Sequence, residues 1–80
     1  MEIKVLGAGC ANCHTMADRT EEALQQLGID GVIQAITDYG EIAGYGVMST
    51  PAMVVDGQVV VAGRVPEIPE IVTMLSAATP

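Results

Sequence analysis

The two cysteines of this sequence, Cys10 and Cys13, are separated by Ala11 and Asn12 and followed by His14. Sulfurs at this spacing on a helix lie one turn apart on the same face, so the pair can interconvert between a dithiol and a disulfide. A disulfide that closes so small a loop removes little chain entropy and would stabilise a fold only weakly. The pattern therefore indicates a reactive pair or a metal site, and not a structural crosslink.

The elements predicted on either side of the pair assign a role to each cysteine. A strand predicted over Glu2–Leu6 leads through Gly7 into a helix that is predicted to begin at about Ala11. Cys10 would lie at or just before the first helical turn, where free N–H groups and the helix dipole favour a thiolate. Such sites lower the pKa of a cysteine to about 3.5–7.5. We therefore expect Cys10 to be the nucleophile and Cys13 the resolving thiol.

The rest of the chain predicts the elements that must position this pair. In chain order these are a strand over 2–6, a helix over 11–27, a buried strand over 31–37, a short helix capped by Asp38, strands over 52–55 and 58–62, and a last helix containing Ile68 and Leu75. Asp56 and Gly57 predict a tight hairpin between the two valine-rich runs. This order, βαβαββα, predicts an α/β fold with a four-stranded mixed sheet and helices on both faces.

Composition narrows the class of protein further. The 80 residues are 50% hydrophobic, which is enough for one packed domain spanning 1–80. The net charge of −7 disfavours binding to nucleic acid. The sequence lacks both an apolar run of membrane-spanning length and a basic leader, so we expect no membrane partner and a cytoplasmic location. A monomer is the expected state.

Metal binding and haem attachment are the two alternatives to a redox-active cysteine pair. The cysteines supply two thiolates, and His14 does not complete a zinc tetrad, but two-coordinate Cu(I) needs no further ligand. The run from Cys10 to His14 also matches the Cys-x-x-Cys-His signature of c-type haem attachment. A cytochrome c core is helical, whereas the segment 52–62 predicts a β-hairpin. We therefore expect no haem and no zinc site, and two-coordinate Cu(I) stays open as an alternative at this point.

Several motifs together resemble the thioredoxin/glutaredoxin superfamily. They are the element order, the Cys10-x-x-Cys13 turn, Thr50-Pro51 ahead of the hairpin, and Gly63 after it. The closest likeness is to the small glutaredoxin-like "redox-active disulfide" thioredoxins of bacteria and archaea. The resemblance implies a thioredoxin-like fold and a thiol–disulfide oxidoreductase that acts on disulfide-containing proteins. It also implies regeneration by a thioredoxin-reductase-like flavoprotein, with no cofactor beyond the Cys10–Cys13 disulfide.

The resemblance also implies substrate-binding roles in the second half of the chain. The Thr50–Pro51 bond would be cis and face the disulfide, and the Thr50 backbone would pair with an extended substrate segment. From the residues alone, Pro51 could instead be an ordinary trans-proline that begins an edge strand. Gly63 is either a gap through which partners approach the sulfurs or a plain strand terminator.

The sequence departs from ordinary thioredoxins at the residues expected to modulate the thiols. Ala11 and Asn12 stand where thioredoxins have Gly-Pro, and Lys4 stands where they carry a buried acid. Lys4 would favour thiolate if it pointed toward the sulfurs, although a lysine on a short strand more often reaches solvent. His14 is expected to tune the thiols modestly as their neighbour. These differences leave the redox potential and the use of glutathione open.

The main alternative is a heavy-metal-associated domain that carries Cu(I) on the same cysteines. The first thirty residues or so resemble such domains, which place Cys-x-x-Cys between a strand and a helix. Those domains run βαββαβ and end on a strand, whereas this chain predicts a terminal helix. The Thr50-Pro51 step also has no role in that fold, so we favour the oxidoreductase.

Overall fold

The computed structural model describes residues 1–7 and 11–78 of the chain. The elements are β1 (Glu2–Leu6), α1 (Ala11–Leu27), β2 (Val32–Ile36), α2 (Tyr39–Gly44), β3 (Ala52–Val55), β4 (Gln58–Ala62) and α3 (Ile68–Ala78). This is the predicted order, βαβαββα, and the predicted boundaries lie within a residue or two of those observed.

The strands form one mixed sheet in the order β2-β1-β3-β4. β1 is parallel to β2 and antiparallel to β3, and β3 is antiparallel to β4. Leu6 therefore pairs with both Ile36 and Ala52, and Ala52 pairs in turn with Ala62. One end of the sheet is therefore formed by the last residues of β1, β2 and β4 and the first residues of β3. The predicted site residues converge at this end.

Alternation along the strands divides the core between the two faces of the sheet. Ile3 and Val5 of β1 pack on one face in a cluster that includes Met16 of α1 and Leu75 of α3. Leu6, the next residue of β1, packs on the other face with a smaller cluster that includes Ile42 of α2. The helices therefore cover both faces, as the pattern predicted. We refer to these as the α1 face and the α2 face.

The structure reproduces the predicted hairpin turn but not the predicted side-chain cap by Asp38. Gly28 ends α1 with a φ of +66°, and the Ile29 N–H donates to the Leu24 carbonyl at 3.1 Å. Asp56 and Gly57 form the hairpin turn with φ values of 48° and 87°. Asp38 occupies the N-cap position of α2 but makes no side-chain capping hydrogen bond.

The prediction that the second strand is buried is wrong. β2 is the edge strand of the sheet, and Val32 is 66% exposed. Its apolar composition suggested burial on both faces, but one edge is unpaired and the facing helix α2 has only six residues. Such a short helix covers the centre of the sheet and leaves β2 largely open.

Among residues 1–7 and 11–78, the structure contains no helix that is both long and apolar enough to cross a membrane.

Candidate active site around Cys13

Cys13 lies in the first turn of α1, at the end of the sheet where β1 finishes. The residue is only 7% exposed and belongs to the apolar cluster on the α1 face. The Cys13 sulfur is disulfide-bonded. Cys10, the predicted nucleophile, lies outside the described residues, so the site is built here from the residues around Cys13.

Gly7, directly after β1, makes the closest approach to this sulfur. A Cβ atom on Gly7 would overlap the Cys13 Sγ, and it would lie 3.9 Å from the Thr50 Cβ. The Gly7 N–H donates to the Ile36 carbonyl at 2.9 Å, which fixes the backbone at this point. Gly7 therefore joins the end of the strand, the sulfur and the Thr50 loop, and only a residue without a side chain fits there.

The sequence indicated only that Gly7 links the predicted strand to the predicted helix, and it did not identify this steric role. The signal that could have indicated it is the position of Gly7 at the end of a strand that leads directly into the cysteine motif. Backbone that must pass close to another group is a common reason for glycine.

The loop that contains Thr50 and Pro51 forms the other side of the site. The Thr50–Pro51 peptide bond is cis, the isomer that the family resemblance implied. Thr50 is exposed and Pro51 is buried, so the threonine presents its surface beside Gly7 while the proline anchors the loop. The Pro51 carbonyl accepts a hydrogen bond from the Gly63 N–H at 2.9 Å, which ties this loop to the end of β4.

Gly63 supports this loop from the far side. It has a φ of +81°, and a Cβ there would lie 3.1 Å from the Ser49 Cβ. The neighbours of that position are Ser49 atoms and not the Cys13 sulfur. Gly63 thus combines a left-handed backbone conformation, which L side chains adopt poorly, with close packing against the Thr50 loop.

Gly63→Ala is expected to destabilise the fold by about 1–3 kcal/mol, because it adds side-chain strain at positive φ and crowding against Ser49. Gly57→Ala is the matched control, since Gly57 has a similar φ of +87° and an added Cβ would contact nothing within 4 Å. Urea unfolding of the two variants measures the difference. A loss at Gly63 no larger than the loss at Gly57 would show that the Ser49 contact carries no weight.

Lys4 lies on the opposite face of the sheet from Cys13. It alternates with Ile3 and Val5, and its Nζ donates to the Tyr45 Oη at 2.9 Å on the α2 face. The hydrogen bond to Tyr45 and, to a smaller extent, the Glu2 carboxylate at 3.4 Å raise the pKa of Lys4 above its ordinary value. The ammonium is therefore held by Tyr45 and Glu2, and it does not point toward the Cys13 sulfur.

The other residues predicted to modulate the thiols lie on the first turn of α1. Ala11, Asn12 and His14 are all exposed on either side of the buried Cys13. His14 also borders an apolar cleft beside the sulfur, which has a volume of about 200 Å³. The cleft is lined by Val5, Gly7, Cys13, His14, Ala17, Ile33, Ala35 and Thr37.

Within the part of the chain that the structure describes, no three His, Cys, Asp or Glu side chains come together as a metal site. The Cu(I) alternative would thus rest on the cysteine pair alone.

Comparison with known proteins agrees with this architecture. Residues 1–76 match the model of a thioredoxin domain family. A thioredoxin of Methanothermobacter thermautotrophicus is 37% identical over 76 residues, covering 95% of this chain and 99% of that protein. A thioredoxin of Methanocaldococcus jannaschii is 36% identical over 69 residues, covering 86% of this chain and 79% of that protein.

These matches extend over nearly all of the chain. The matches support a thioredoxin-like redox function, in general that of a thiol–disulfide oxidoreductase. By its sequence and by its four-stranded mixed sheet, the chain belongs to the thioredoxin family.

Proposed function

We propose that this chain reduces disulfides in proteins by dithiol–disulfide exchange through Cys10 and Cys13. The observation that carries the proposal is the disulfide-bonded sulfur of the buried Cys13 against Gly7, which also lies beside the exposed Thr50. The sulfur of a cysteine residue that is only 7% exposed is poorly placed to attack a large partner. It is well placed to resolve an intermediate formed at a neighbouring cysteine, which supports the roles assigned from the sequence.

The exchange has two steps. The Cys10 thiolate attacks a sulfur of the partner's disulfide, a bond forms between these two sulfurs, and the partner's other sulfur leaves as a thiolate. The Cys13 thiolate then attacks the Cys10 sulfur, which forms the Cys10–Cys13 disulfide and releases the partner's second sulfur. Two electrons pass from the protein to the partner, whose thiolates take up the two protons that Cys10 and Cys13 lose.

The exposed Thr50 is the proposed docking point for the substrate. An extended segment beside the Thr50 backbone would lie next to Gly7 and the sulfur, and main-chain hydrogen bonds would hold it as an added strand. Gly63 and Pro51 would keep this loop in place through their 2.9 Å hydrogen bond. The roles of Thr50 and Pro51 in binding are thus supported by their position, and the role of Gly63 is to support the loop.

The cycle requires a second protein to restore the dithiol. We propose a thioredoxin-reductase-like flavoprotein as the electron donor, and a cytoplasmic setting in which thiols are kept reduced. On this proposal the chain needs no cofactor beyond its own disulfide and acts as a monomer.

The second candidate function is a Cu(I) carrier that uses the same cysteines. The order of the helices and strands argues against it. Heavy-metal-associated domains run βαββαβ, whereas the described elements of this chain run βαβαββα, with α3 packed against α1. The alternative remains testable because Cu(I) needs only two thiolates.

The reduction potential of the cysteine pair tests the proposal. We expect a reversible two-electron couple between about −120 and −270 mV in metal-free thiol buffers, followed by alkylation and mass spectrometry. A pair that forms no reversible disulfide, or that retains Cu(I) through purification, would replace the redox proposal with the carrier.

A further inference from the structure

No side chain among residues 1–7 and 11–78 fills the apolar cleft beside Cys13. Its walls come from α1 through Ala17, from β1 through Val5 and from β2 through Ile33 and Ala35. The volume of about 200 Å³ is somewhat larger than a cavity of roughly 150 Å³ that admits benzene. The cleft therefore has the size and the lining to take one apolar side chain, with the Cys13 sulfur in its wall.

The strand along this cleft has an unpaired edge. The Val32 N–H donates to the Met1 carbonyl, and the Ile36 carbonyl accepts from the Gly7 N–H. Because backbone groups alternate in direction along a strand, those of Ile33 and Ala35 face outward at the free edge of the sheet. The two residues whose side chains line the cleft thus also offer main-chain hydrogen bonds to an extended segment.

Charge limits what can occupy the cleft. The lining contains no lysine or arginine, and the acidic residues Asp18 and Asp38 directly follow the lining residues Ala17 and Thr37. Each lysine and arginine of the chain is ion-paired to a carboxylate, the pairs being Lys4–Glu2, Arg19–Glu67 and Arg64–Glu70. With a net charge of −7, a second copy of the chain or an acidic segment would be repelled.

We propose that the cleft is a specificity pocket for the disulfide substrate. It binds a leucine-sized side chain close to the substrate's half-cystine. The residues on that side of the half-cystine are neutral or basic and lie along the free edge of β2, and those on the other side pair beside Thr50. This inference rests on the proposed function and names its substrate class. The substrate's S–S bond breaks, the Cys10–Cys13 bond forms, and the electrons and protons pass as in the exchange above.

Single-turnover reduction of paired peptides tests the pocket. The reduced protein is mixed with neutral peptides that contain one disulfide. The peptides form pairs that differ at one position, which carries Leu in one member and Ser in the other. The varied position is each of the three on either side of a half-cystine in turn. We expect a Leu peptide at one or more positions to react about tenfold faster than its Ser counterpart, because the pocket buries the leucine. Equal rates for Leu and Ser at every position would overturn the proposal.

Filling the pocket should remove this preference. Ala35→Leu is expected to slow the preferred Leu peptide about tenfold and to leave the Ser peptide within twofold of wild type. Gln34→Leu is the matched control, because Gln34 is the neighbouring exposed residue of β2 and its side chain lies on the α2 face. Ala17→Leu fills the same pocket from α1 and guards against a defect specific to the sheet.

The remaining outcomes separate the pocket from the redox function. Loss of the preference in Ala35→Leu and Ala17→Leu, with an unchanged reduction potential, supports the pocket. An equal slowing of Leu and Ser peptides, or a wild-type dimer that Ala35→Leu converts to monomers, overturns it while the redox function stands. A wild-type protein that reduces no peptide overturns the proposed function and the pocket together.

Discussion

The Cys13→Ser variant is expected to accumulate as a mixed disulfide between Cys10 and its substrate and to lose catalytic turnover. Cys13 is the thiol that releases the first intermediate, and a serine hydroxyl is not ionised at neutral pH and cannot attack the mixed disulfide. Multiple-turnover reduction should therefore fall to the rate of the buffer thiol alone. Because serine is close to cysteine in size, the buried position in α1 should remain filled.

Intact mass spectrometry measures the trapped species directly. The variant is reduced, mixed with a disulfide peptide and quenched with acid, and the mixed disulfide appears as the sum of the two masses. Cys10→Ser is the paired variant and should trap nothing, since it lacks the attacking thiolate. Trapping by Cys10→Ser in place of Cys13→Ser would reverse the two roles.

Gly7→Ala is expected to destabilise the oxidised protein more than the reduced protein. The added methyl group would overlap the Cys13 Sγ, and Gly7 does not have a positive φ, so the cost comes from this overlap. The disulfide holds the sulfur in place, whereas the thiol of the reduced protein can rotate away. Overpacking of this kind costs about 1–3 kcal/mol, which corresponds to a reduction potential raised by about 20–65 mV.

The potential of Gly7→Ala is measured in thiol redox buffers, and urea unfolding of the oxidised and reduced forms gives the two stabilities. Gly44→Ala is the control, because a Cβ at Gly44 would meet nothing within 4 Å and its φ is not positive. It should leave the potential unchanged. If Gly7→Ala lowered the stability of both forms equally, its contact would be structural and would not set the potential.

Much of the fold followed from periodicity. Met16, Thr20 and Leu24 recur in the sequence at four-residue spacing, a pattern that predicts one buried face of a helix, and all three are buried in α1. The Asp56-Gly57 turn likewise determined the hairpin. Burial of β2 was mispredicted, because a run of valine and isoleucine has the same composition at a sheet's centre and at its edge. Only the strand order and the length of α2 distinguish these positions.

The site was predictable in its chemistry and less so in its supporting contacts. The cysteine spacing indicated redox chemistry, but the contact between Gly7 and Cys13 requires two elements to meet in space. The position of the Lys4 side chain could be predicted from the sequence alone. It alternates with Ile3 and Val5, whose apolar side chains must face the long helix, so a lysine between them faces the other side of the sheet. Alternation along β1 therefore predicts the face of the sheet on which Lys4 lies.

The tie between Lys4 and Tyr45 has a consequence for spectroscopy. The protein contains no tryptophan, and its intrinsic emission comes from two tyrosines. Tyr45 is half-buried on the α2 face, with its hydroxyl held by Lys4 at 2.9 Å, while Cys13 lies across the sheet. Tyrosine fluorescence should therefore follow unfolding without being quenched by the disulfide directly. One optical signal can thus compare oxidised and reduced protein on the same scale.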